Sequence, residues 1–440
     1  MTRLLCFTVS IRLNCVNFGK ISIWISNPYA SILAAANVRR SNLTLNKKLV
    51  IVKKVIQVVL WVGLLGIAAC QEDSPEPPVN EPGDFLFGAD LSYVNQVLDF
   101  GGTFKVSGAV TNPYKIFKDN GTNLVRLRLW HNPVWTKEVY GEDGTQLYSD
   151  ILDVAKAIEA ARQQQLKVLL GFHFSDTWAD PGNQKIPAAW QDIRNITVLR
   201  DSVYNYTSKT LNYLKTRSLL PEYIQLGNET NCGMLYTNAP AGFPACNGCN
   251  GQWTNLRTVI KAGIQAIKDV APDSKIILHV ADPVNVDWWF TNVMNGVEVN
   301  NFDIIGFSYY PLWHTGVPLL QISNNIAAFK SKFGKDIMIL ETAYPWTTAG
   351  NDSYTNLFGG QTALSGYPYT NAGQLALMKA LTQEVIDGGG IGLIYWEPAW
   401  ITSDMKDLWG TGSAWENNTF FDYSGELNSG IQFMTHTYKF

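Results

Sequence analysis

The chain has 440 residues, of which 46% are apolar and 12% aromatic, so it can bury a large core and is not a disordered polypeptide. Residues 1–70 hold nine of the 34 Lys and Arg residues and no acidic residue, which leaves 25 basic against 37 acidic residues, a formal charge of −12, on the remainder. Because phosphate binding requires clustered basic residues, this balance excludes a nucleic acid or a strongly anionic polymer as the main partner and favours a neutral substrate.

The first predicted element is an export signal. Four lysines between residues 47 and 54 precede the apolar run "VIQVVLWVGLLGIAAC", which is too short to span a membrane as a stable helix. Ala68 and Ala69 before Cys70 resemble the motif at which bacteria lipidate a cysteine that becomes the mature N-terminus. We therefore predict a lipoprotein signal peptide over 47–70, lipidation of Cys70, and attachment to the outer membrane of a Gram-negative bacterium, on its cell-surface or periplasmic face. An anchor that stays uncleaved is the alternative.

Two segments flank this signal. Residues 1–46 lie upstream of a normal signal peptide and show neither a helical nor a strand period, so they form an N-terminal extension to which we assign no function. Residues 71–84, "QEDSPEPPVNEPGD", combine proline with acidic residues, cannot bury a core and are predicted to form an extended tether. We predict one folded domain over 85–440.

Short apolar segments recur eight times in this domain and are predicted as strands. They lie at 85–90, 123–130, 166–174, 223–229, 275–280, 302–310, 336–344 and 392–400. Amphipathic helices are predicted between them, at 151–165, 197–216, 254–270, 321–333 and 371–386. Eight buried strands alternating with helices predict an α/β fold with a parallel sheet closed as a (β/α)8 TIM barrel. An open doubly wound sheet is the alternative, but no glycine-rich phosphate loop follows the first strand.

The predicted loops are unequal in length. A typical barrel needs about 250 residues, so the excess in this chain must lie in loops. Long loops follow strands rather than helices, at 131–148, 174–195, 230–252, 345–370 and 400–424. Because the loops after parallel strands gather at one rim of a barrel, where barrel enzymes place their sites, we expect the functional site there.

Two glutamates end predicted strands at this rim. Glu229 follows the fourth strand in "IQLGNETNCGML", and Glu341 ends the seventh in "MILETAY". Carboxyl groups about 5 to 5.5 Å apart would indicate a retaining glycoside hydrolase, with Glu229 as a buried, protonated acid/base and Glu341 as an ionised nucleophile. We expect a cation beside Glu341, and favour Arg128 over Arg126 because it lies nearer the rim. The alternative is that Asn228 and Glu229 merely cap a helix.

Other side chains at the strand ends are predicted to bind sugar. Indole rings stack on the apolar face of a pyranose, and polar side chains bind its hydroxyl groups. Burial in the core is the alternative for the aromatic residues. The predicted set is Asp90, Arg128, Trp130, His131, His173, Asp176, Trp178, Asn228, Tyr309, Trp346, Trp396 and Trp400.

The sequence gives little sign of metal or serine chemistry. Five scattered histidines without HxH or HExxH spacing argue against catalytic zinc, and no GxSxG elbow occurs. In the loop after the seventh strand, Asn351, Asp352 and Asn356 offer closely spaced oxygen atoms of the kind that calcium binds, and Asp352 and Asn356 are the candidate ligands of a structural calcium. An ordinary polar loop is the favoured interpretation.

The cysteines of the folded domain lie close together in sequence. Cys232, Cys246 and Cys249 all fall in the loop after the fourth strand. In an exported protein this number predicts one disulfide and one free thiol. Which pair closes is left open.

The chain resembles glycoside hydrolase family 53, the endo-β-1,4-galactanases, over about 85–424. The segments that carry the resemblance are "GADLSYV", "VRLRLWHNP", "FHFSDTWADPGNQKIPAAW", "IQLGNETNCGML", "IIGFSYYPLW", "ILETAYPW" and "IYWEPAWI". The resemblance implies a barrel enzyme with Glu229 as acid/base and Glu341 as nucleophile. We expect it to act as a monomer. The resemblance also implies internal cleavage of neutral β-1,4-galactan side chains of pectic type I arabinogalactan, without a catalytic cofactor. Some bacterial members carry a structural calcium, but this chain lacks the acidic, His-containing pattern of that site.

Two other functions are compatible with the same features. Another barrel glycanase, a β-mannanase or a xylanase, would carry its two glutamates in the same places. A lipid-anchored glycan-binding protein would share the signal, the tether and the aromatic residues without catalysis. Released reducing ends separate an enzyme from such a binding protein.

Overall fold

The computed structural model describes residues 85–295, 299–358 and 360–440. The predictions for 1–46, for the signal segment 47–70 with Cys70 and for the tether 71–84 fall outside the described residues. Within the described part of the chain, no helix combines the length and the apolar character that a membrane crossing requires.

A closed barrel of eight parallel strands forms the centre of the domain. Each strand pairs with the next in chain order, and the first pairs with the last. Every barrel strand overlaps one predicted segment, so the predicted (β/α)8 barrel is confirmed and the open sheet is excluded. The strands are β1 (Leu86–Asp90), β2 (Leu124–Leu129), β3 (Lys167–Phe172), β4 (Tyr223–Leu226), β5 (Lys275–Ala281), β6 (Ile304–Ser308), β7 (Asp336–Thr342) and β8 (Gly392–Tyr395).

Helices cover the outside of this barrel. The five predicted helices are present within two residues of their predicted ends, as Ile151–Gln163, Ile196–Lys215, Trp253–Val270, Ile322–Phe333 and Asn371–Asp387. The described residues also form four shorter α-helices, Val94–Asp99, Pro113–Asp119, Trp135–Glu138 and Val286–Val293, in addition to short 3-10 helices. These contain no more than eight residues, which is too few turns for an apolar period to stand out from the sequence.

Polar side chains fix where the long helices begin. The carboxylate of Asp150 accepts hydrogen bonds from the backbone N–H groups of Leu152 and Asp153. Asn195 and Thr370 cap the helices that follow them in the same way. Because the first N–H groups of a helix have no partner within the helix, these caps stabilise each helix start against the loop that precedes it.

The inside of the barrel is a packed floor rather than a channel. A cluster of buried side chains, separate from the main core, fills it: Leu86, Leu124, Leu169, Ile277, Ile304, Met338, Leu340 and Ile394. Side chains alternate along a strand, so Arg126 and Arg128 face the same side of β2 as Leu124, one and two steps nearer the carboxyl end. Polar groups at that end therefore stand on an apolar base that excludes water from below.

A β-bulge at the end of β7 changes this alternation. Phe307 of β6 pairs with Ile339, but the next residue, Ser308, pairs with Glu341, so Leu340 is one residue more than the pairing requires. A bulge re-aims the side chains that follow it. Leu340 consequently packs into the floor of the barrel while Glu341, its direct neighbour, reaches the mouth.

The loop after β4 is closed by a disulfide. Cys232 and Cys249 form the bond, and Cys246 is a buried free thiol. This agrees with the predicted number of one disulfide and one thiol, and it resolves the pairing. Between the two bonded cysteines, Gly233–Met234 pairs with Cys246–Asn247 as a short antiparallel hairpin, so the disulfide fastens a loop that has its own hydrogen bonds.

We predict that Gly306→Ala destabilises the domain by about 1–3 kcal/mol, the usual cost of overpacking a core. A Cβ atom at Gly306 would lie 2.3 Å from Cδ1 of Leu340, so Leu340 would have to move at the bulge. Denaturant unfolding measures the loss. Gly360→Ala is the control, because a Cβ atom there meets no atom within 4 Å. An equal stability of the two variants would contradict the proposed packing.

Candidate active site

A cavity of about 680 Å³ opens at the carboxyl ends of the barrel strands. Among the residues predicted from the sequence, nine line it: Asp90, Arg128, His173, Trp178, Asn228, Glu229, Glu341, Trp396 and Trp400. Arg126, Asp180, Tyr310, Trp313 and Trp415 also belong to its wall. The cavity is of the size that ligand sites usually have, and its lining combines aromatic side chains with a group of charged ones.

Glu229 enters this cavity through an unusual backbone turn. The chain leaves β4 with Gly227 at φ 78° and Glu229 at φ 45°, both in the left-handed region that side-chain-bearing residues rarely adopt. The Glu229 side chain is nearly buried, and its Oε1 accepts a hydrogen bond of 2.6 Å from the hydroxyl of Ser308. Such strain is characteristic of functional positions.

Glu341 lies opposite, with two hydrogen-bond donors. The guanidinium Nη1 of Arg126 is 2.8 Å from its Oε1, and the hydroxyl of Tyr310 donates to its Oε2 at 3.0 Å. Both donors favour the ionised carboxylate over the neutral acid. Their geometry also fixes the carboxylate in a single orientation.

The two carboxyl groups are close enough to act on one bond. An oxygen of Glu229, an oxygen of Glu341 and a ring nitrogen of His279 all lie within 4.8 Å of one another. Carboxyl groups in retaining glycoside hydrolases are about 5 to 5.5 Å apart, and those in inverting enzymes about 6.5 to 9.5 Å apart. The separation therefore fits the retaining class.

Burial and neighbouring charges give the two glutamates different protonation states. Burial, followed by the negative charge of Glu341, raises the pKa of Glu229 to about 8, against the opposing effect of the Ser308 hydrogen bond. Burial also raises the pKa of Glu341 above its ordinary value, but Arg126 strongly opposes that shift. Because Arg126 and Tyr310 donate to Glu341 and only Ser308 donates to Glu229, a single proton on the pair favours Glu229.

Arg126, not Arg128, is the cation beside the nucleophile position, which corrects the sequence prediction. Residues 126 and 128 are two apart, so strand alternation places both on the inner face and could not distinguish them. Arg126 bridges Asp90 and Glu341, with its Nη1 2.8 Å from an oxygen of each. Arg128, one step further out, is held by Glu397 at 3.0 Å instead.

Arg128 has a different environment that suits ligand binding. Its guanidinium carbon lies 4.5, 4.6 and 4.1 Å from the ring centroids of Tyr93, Trp130 and Trp178. Its Nε and Nη2 atoms have no hydrogen-bond partner among the described residues, although the side chain is buried. Unpaired buried donors are costly, so a ligand that accepts hydrogen bonds from Arg128 gains affinity.

Five predicted sugar-binding residues lie outside the cavity wall, and two of them hold the loop after β3 in place. His131 and Asp176 contact each other at 3.4 Å, and Asp176 accepts hydrogen bonds from the backbone N–H groups of Asn132 and Ala188. The carboxylate therefore ties the loops after β2 and β3 together rather than facing a ligand.

The other three are covered by neighbouring groups. Trp130 is completely buried beneath Arg128. Tyr309 is buried with its hydroxyl donating to the Val317 carbonyl, while its neighbour Tyr310 turns toward Glu341. Trp346 packs on Tyr423 and donates to the Glu416 carbonyl. The sequence correctly placed these three residues at or just after the ends of strands. It did not show which way their side chains point, because that depends on contacts within the loops.

Several site residues were missed by the sequence reasoning. His279 and Ser308 face the inside of the barrel near the ends of β5 and β6 and contact the Glu229 region. Strand alternation offered a signal for both, because each lies at an even spacing from an inward apolar residue, Ile277 or Ile304. Glu397, completely buried beside Arg128, follows β8 in the quoted "IYWEPAWI" and has its pKa raised by burial to about 8.

The predicted calcium site at Asp352 and Asn356 stays a prediction. Calcium takes six to eight oxygen ligands. Each carboxylate oxygen of Asp352 accepts one backbone N–H group, from Tyr354 and Ser413. Asn356 Oδ1 is buried without a hydrogen-bond partner among the described residues. The contacts of Asp352 stabilise the loops after β7 and β8.

Comparisons with known proteins give one consistent family. The model of glycosyl hydrolase family 53 matches residues 86–434. The chain is 40% identical to the arabinogalactan endo-β-1,4-galactanase of Cellvibrio japonicus over 352 residues, which cover 78% of this chain and 88% of that protein. It is 29% identical to the endo-β-1,4-galactanase of Bacillus subtilis over 359 residues, 78% of either chain.

Solved structures agree. The catalytic domain of family 53 from Ignisphaera aggregans superposes with a TM-score of 0.72 at 30% identity, covering 83% of this chain and 99% of that one. A structure from a study of two fungal β-1,4-galactanases gives a TM-score of 0.65 at 27% identity, over 80% and 99% of the two chains. The likeness therefore extends over nearly the whole described domain.

We predict that Glu341→Gln lowers the pKa of Glu229, because the variant removes the negative charge that raises it. Titration of carbon-labelled glutamate side chains by NMR, in the wild type and the variant, measures the change. Glu426→Gln is a control, since this half-buried residue lies outside the cavity wall and accepts hydrogen bonds from the backbone N–H groups of Ser107 and Gly108. An unchanged or higher pKa of Glu229 in Glu341→Gln would show that the two carboxyl groups do not interact.

Proposed function

The chain belongs to glycosyl hydrolase family 53, and on that premise we propose that it cleaves β-1,4-galactan, the neutral side chain of pectic type I arabinogalactan, at internal bonds and with retention of configuration. The observation that carries this proposal is the Glu229 and Glu341 pair, with oxygens within 4.8 Å at the mouth of the barrel. The names of the galactanase relatives support the substrate. No catalytic cofactor enters the reaction.

In the first step Glu341 acts as the nucleophile. Its carboxylate oxygen bonds to the anomeric carbon while the glycosidic carbon–oxygen bond breaks, and Glu229 donates its proton to the departing oxygen. Arg126 and Tyr310 hold Glu341 in place by hydrogen bonds and keep it ionised before attack. The products of this step are a glycosyl ester on Glu341 and a shortened galactan chain.

In the second step Glu229, now ionised, acts as a base. It takes a proton from water as the water oxygen bonds to the anomeric carbon, and the ester bond to Glu341 breaks. Glu229 regains its proton, and Glu341 regains its negative charge. Two attacks from opposite faces restore the original anomeric configuration.

The wall of the cavity supplies binding groups for the chain of sugars. Arg128 and His173 line the cavity, and buried nitrogen atoms of both side chains have no hydrogen-bond partner among the described residues. Trp178, Trp396 and Trp400 offer aromatic faces in the same wall. Asn228 Oδ1 accepts from Arg126, which orients the amide next to the acid residue.

We extend the proposal to the cellular setting from the sequence alone. The signal segment 47–70 and Cys70 support an outer-membrane lipoprotein, on the cell-surface or the periplasmic face, that meets its polymer through the tether 71–84. The acidic domain, with a formal charge of −12 after residue 70, suits a neutral polymer. We propose that the enzyme acts as a monomer.

We expect the purified protein to release reducing ends from linear β-1,4-galactan and to produce a ladder of intermediate oligomers, since an open cavity accepts the middle of a chain. Glu341→Ala should reduce the rate by at least about a thousandfold, because the nucleophile is lost. Circular dichroism checks that this variant is folded. Activity on mannan or xylan but not galactan would identify another glycanase, and no activity on any polymer would favour a glycan-binding protein.

We also expect kcat/KM on galactan to fall as pH rises through about 8, the pKa to which burial and Glu341 raise Glu229. The sign follows from the role of Glu229, which must be protonated to act as the acid and is active only below its pKa. A pH profile measured at low substrate concentration tests this. A rate that rose across the same range would show that Glu229 is not the acid.

A further inference from the structure

His279 contacts the acid residue although it lies on a different strand. This completely buried residue of β5 has its Nε2 3.0 Å from the Ser308 hydroxyl oxygen, which lies 2.6 Å from Oε1 of Glu229. Its Nδ1 is 3.3 Å from the backbone N–H donor of Glu229. The imidazole ring is therefore linked to both the main chain and the side chain of the same glutamate.

The charges near the ring keep it neutral. Burial, followed by Arg126, holds the pKa of His279 well below its usual value. The charged or titratable groups around this cluster include Arg126, Glu341, Asp180, His173 and Tyr310, with Glu229 itself. A neutral imidazole has one N–H, so His279 donates from either Nδ1 or Nε2, but not from both.

The neighbours of Nδ1 decide between the two. Arg126 has only donors, so Gln225 and Asn228 must turn their amide oxygens toward it, at 3.0 and 2.7 Å. Asn228 Oδ1 also accepts from the amide of Gln225 at 2.9 Å, which fills both of its lone pairs. The oxygen 3.1 Å from His279 Nδ1 is thus already satisfied, while the Glu229 N–H points at that nitrogen. The ring proton therefore lies on Nε2.

This assignment sets the direction of the remaining hydrogen bonds. His279 Nε2 donates to the oxygen of Ser308, so the single hydrogen of the Ser308 hydroxyl is directed to Oε1 of Glu229. Oε1 is then the accepting oxygen of Glu229. Oε2 accepts no hydrogen bond among the described residues, and Glu229 lines the cavity.

We propose that His279 and Ser308 are positioning residues that force the acid proton of Glu229 onto Oε2, the oxygen left free for the departing sugar oxygen. The inference rests on the proposed role of Glu229 as the acid, and it deepens that role. In the ester-forming step the Oε2–H bond breaks and the proton passes to the leaving oxygen, while Ser308 and His279 keep their own protons. Without His279 and Ser308, the acid proton would be distributed between Oε1 and Oε2 of Glu229.

The test compares a substrate that needs the acid with one that does not. Linear β-1,4-galactan requires protonation of its leaving group, whereas a dinitrophenyl β-1,4-galactotrioside does not. Ser308→Ala and His279→Leu should lower kcat/KM on galactan by about tenfold or more and on the aryl substrate by no more than about threefold. Glu229→Ala is the reference for a complete loss of the acid.

Two further variants distinguish positioning from general structure. His279→Gln retains an amide donor at the end of the side chain and should recover most of the activity on galactan that His279→Leu loses. Thr382→Val removes another buried hydroxyl, which donates to the Met378 carbonyl within a helix. This variant should leave kcat/KM unchanged on both substrates. In Ser308→Ala the basic limb of the galactan profile should move to higher pH, because the Ser308 hydrogen bond lowers the pKa of Glu229.

The outcomes separate the two proposals. A wild type that releases no reducing ends from galactan overturns the proposed function. If the wild type is active, equal losses on the two substrates in Ser308→Ala, or no loss on either, overturn the positioning role. Thermal unfolding of each variant shows whether it is folded. If His279→Leu is not folded, the result for Ser308→Ala alone decides whether the positioning role holds.

Discussion

The contacts of Arg126 are the interaction on which the rest of the site depends. One buried guanidinium bonds Asp90 of β1, Glu341 of β7, and Gln225 and Asn228 in or just after β4. Removing a charge from water is expensive, and only full pairing of its donors makes the burial tolerable. The same contacts fix the orientation of two amides, and through them the tautomer of the histidine beside the acid residue. A single cation thereby sets the charge of one glutamate and the geometry around the other.

Much of the fold was predictable because it follows from periodicity. All eight strands, the five long helices and the rim that carries the long loops came from apolar patterning and segment length, as did the two glutamates at strand ends. The predictions that were wrong concern side chains whose position depends on single contacts. The preference for Arg128 over Arg126, and for Tyr309 over its neighbour, required knowledge of depth and facing that alternation leaves undecided. The calcium site at Asp352 and Asn356 stays a prediction, and the contacts seen for Asp352 are hydrogen bonds from backbone N–H groups.

The site combines an apolar base with a dense set of charges. The cluster of aliphatic side chains inside the barrel closes the bottom, so the carboxylates above it are desolvated on one side and face the cavity on the other. Desolvation alone would neutralise both glutamates, and the unequal distribution of donors is what separates them. Arg126 and Tyr310 supply two strong donors to Glu341, whereas Glu229 receives one hydroxyl on one oxygen.

The extra residue in β7 affects how this chain should be compared with others. Counting two residues at a time from Met338 leads to Leu340 and Thr342 and skips Glu341 altogether. A barrel without the bulge would need its nucleophile one position earlier or later to reach the same point in space. An alignment with a barrel whose seventh strand lacks the bulge should therefore open a gap of one residue at Leu340, because a template without it would turn Glu341 toward the helices.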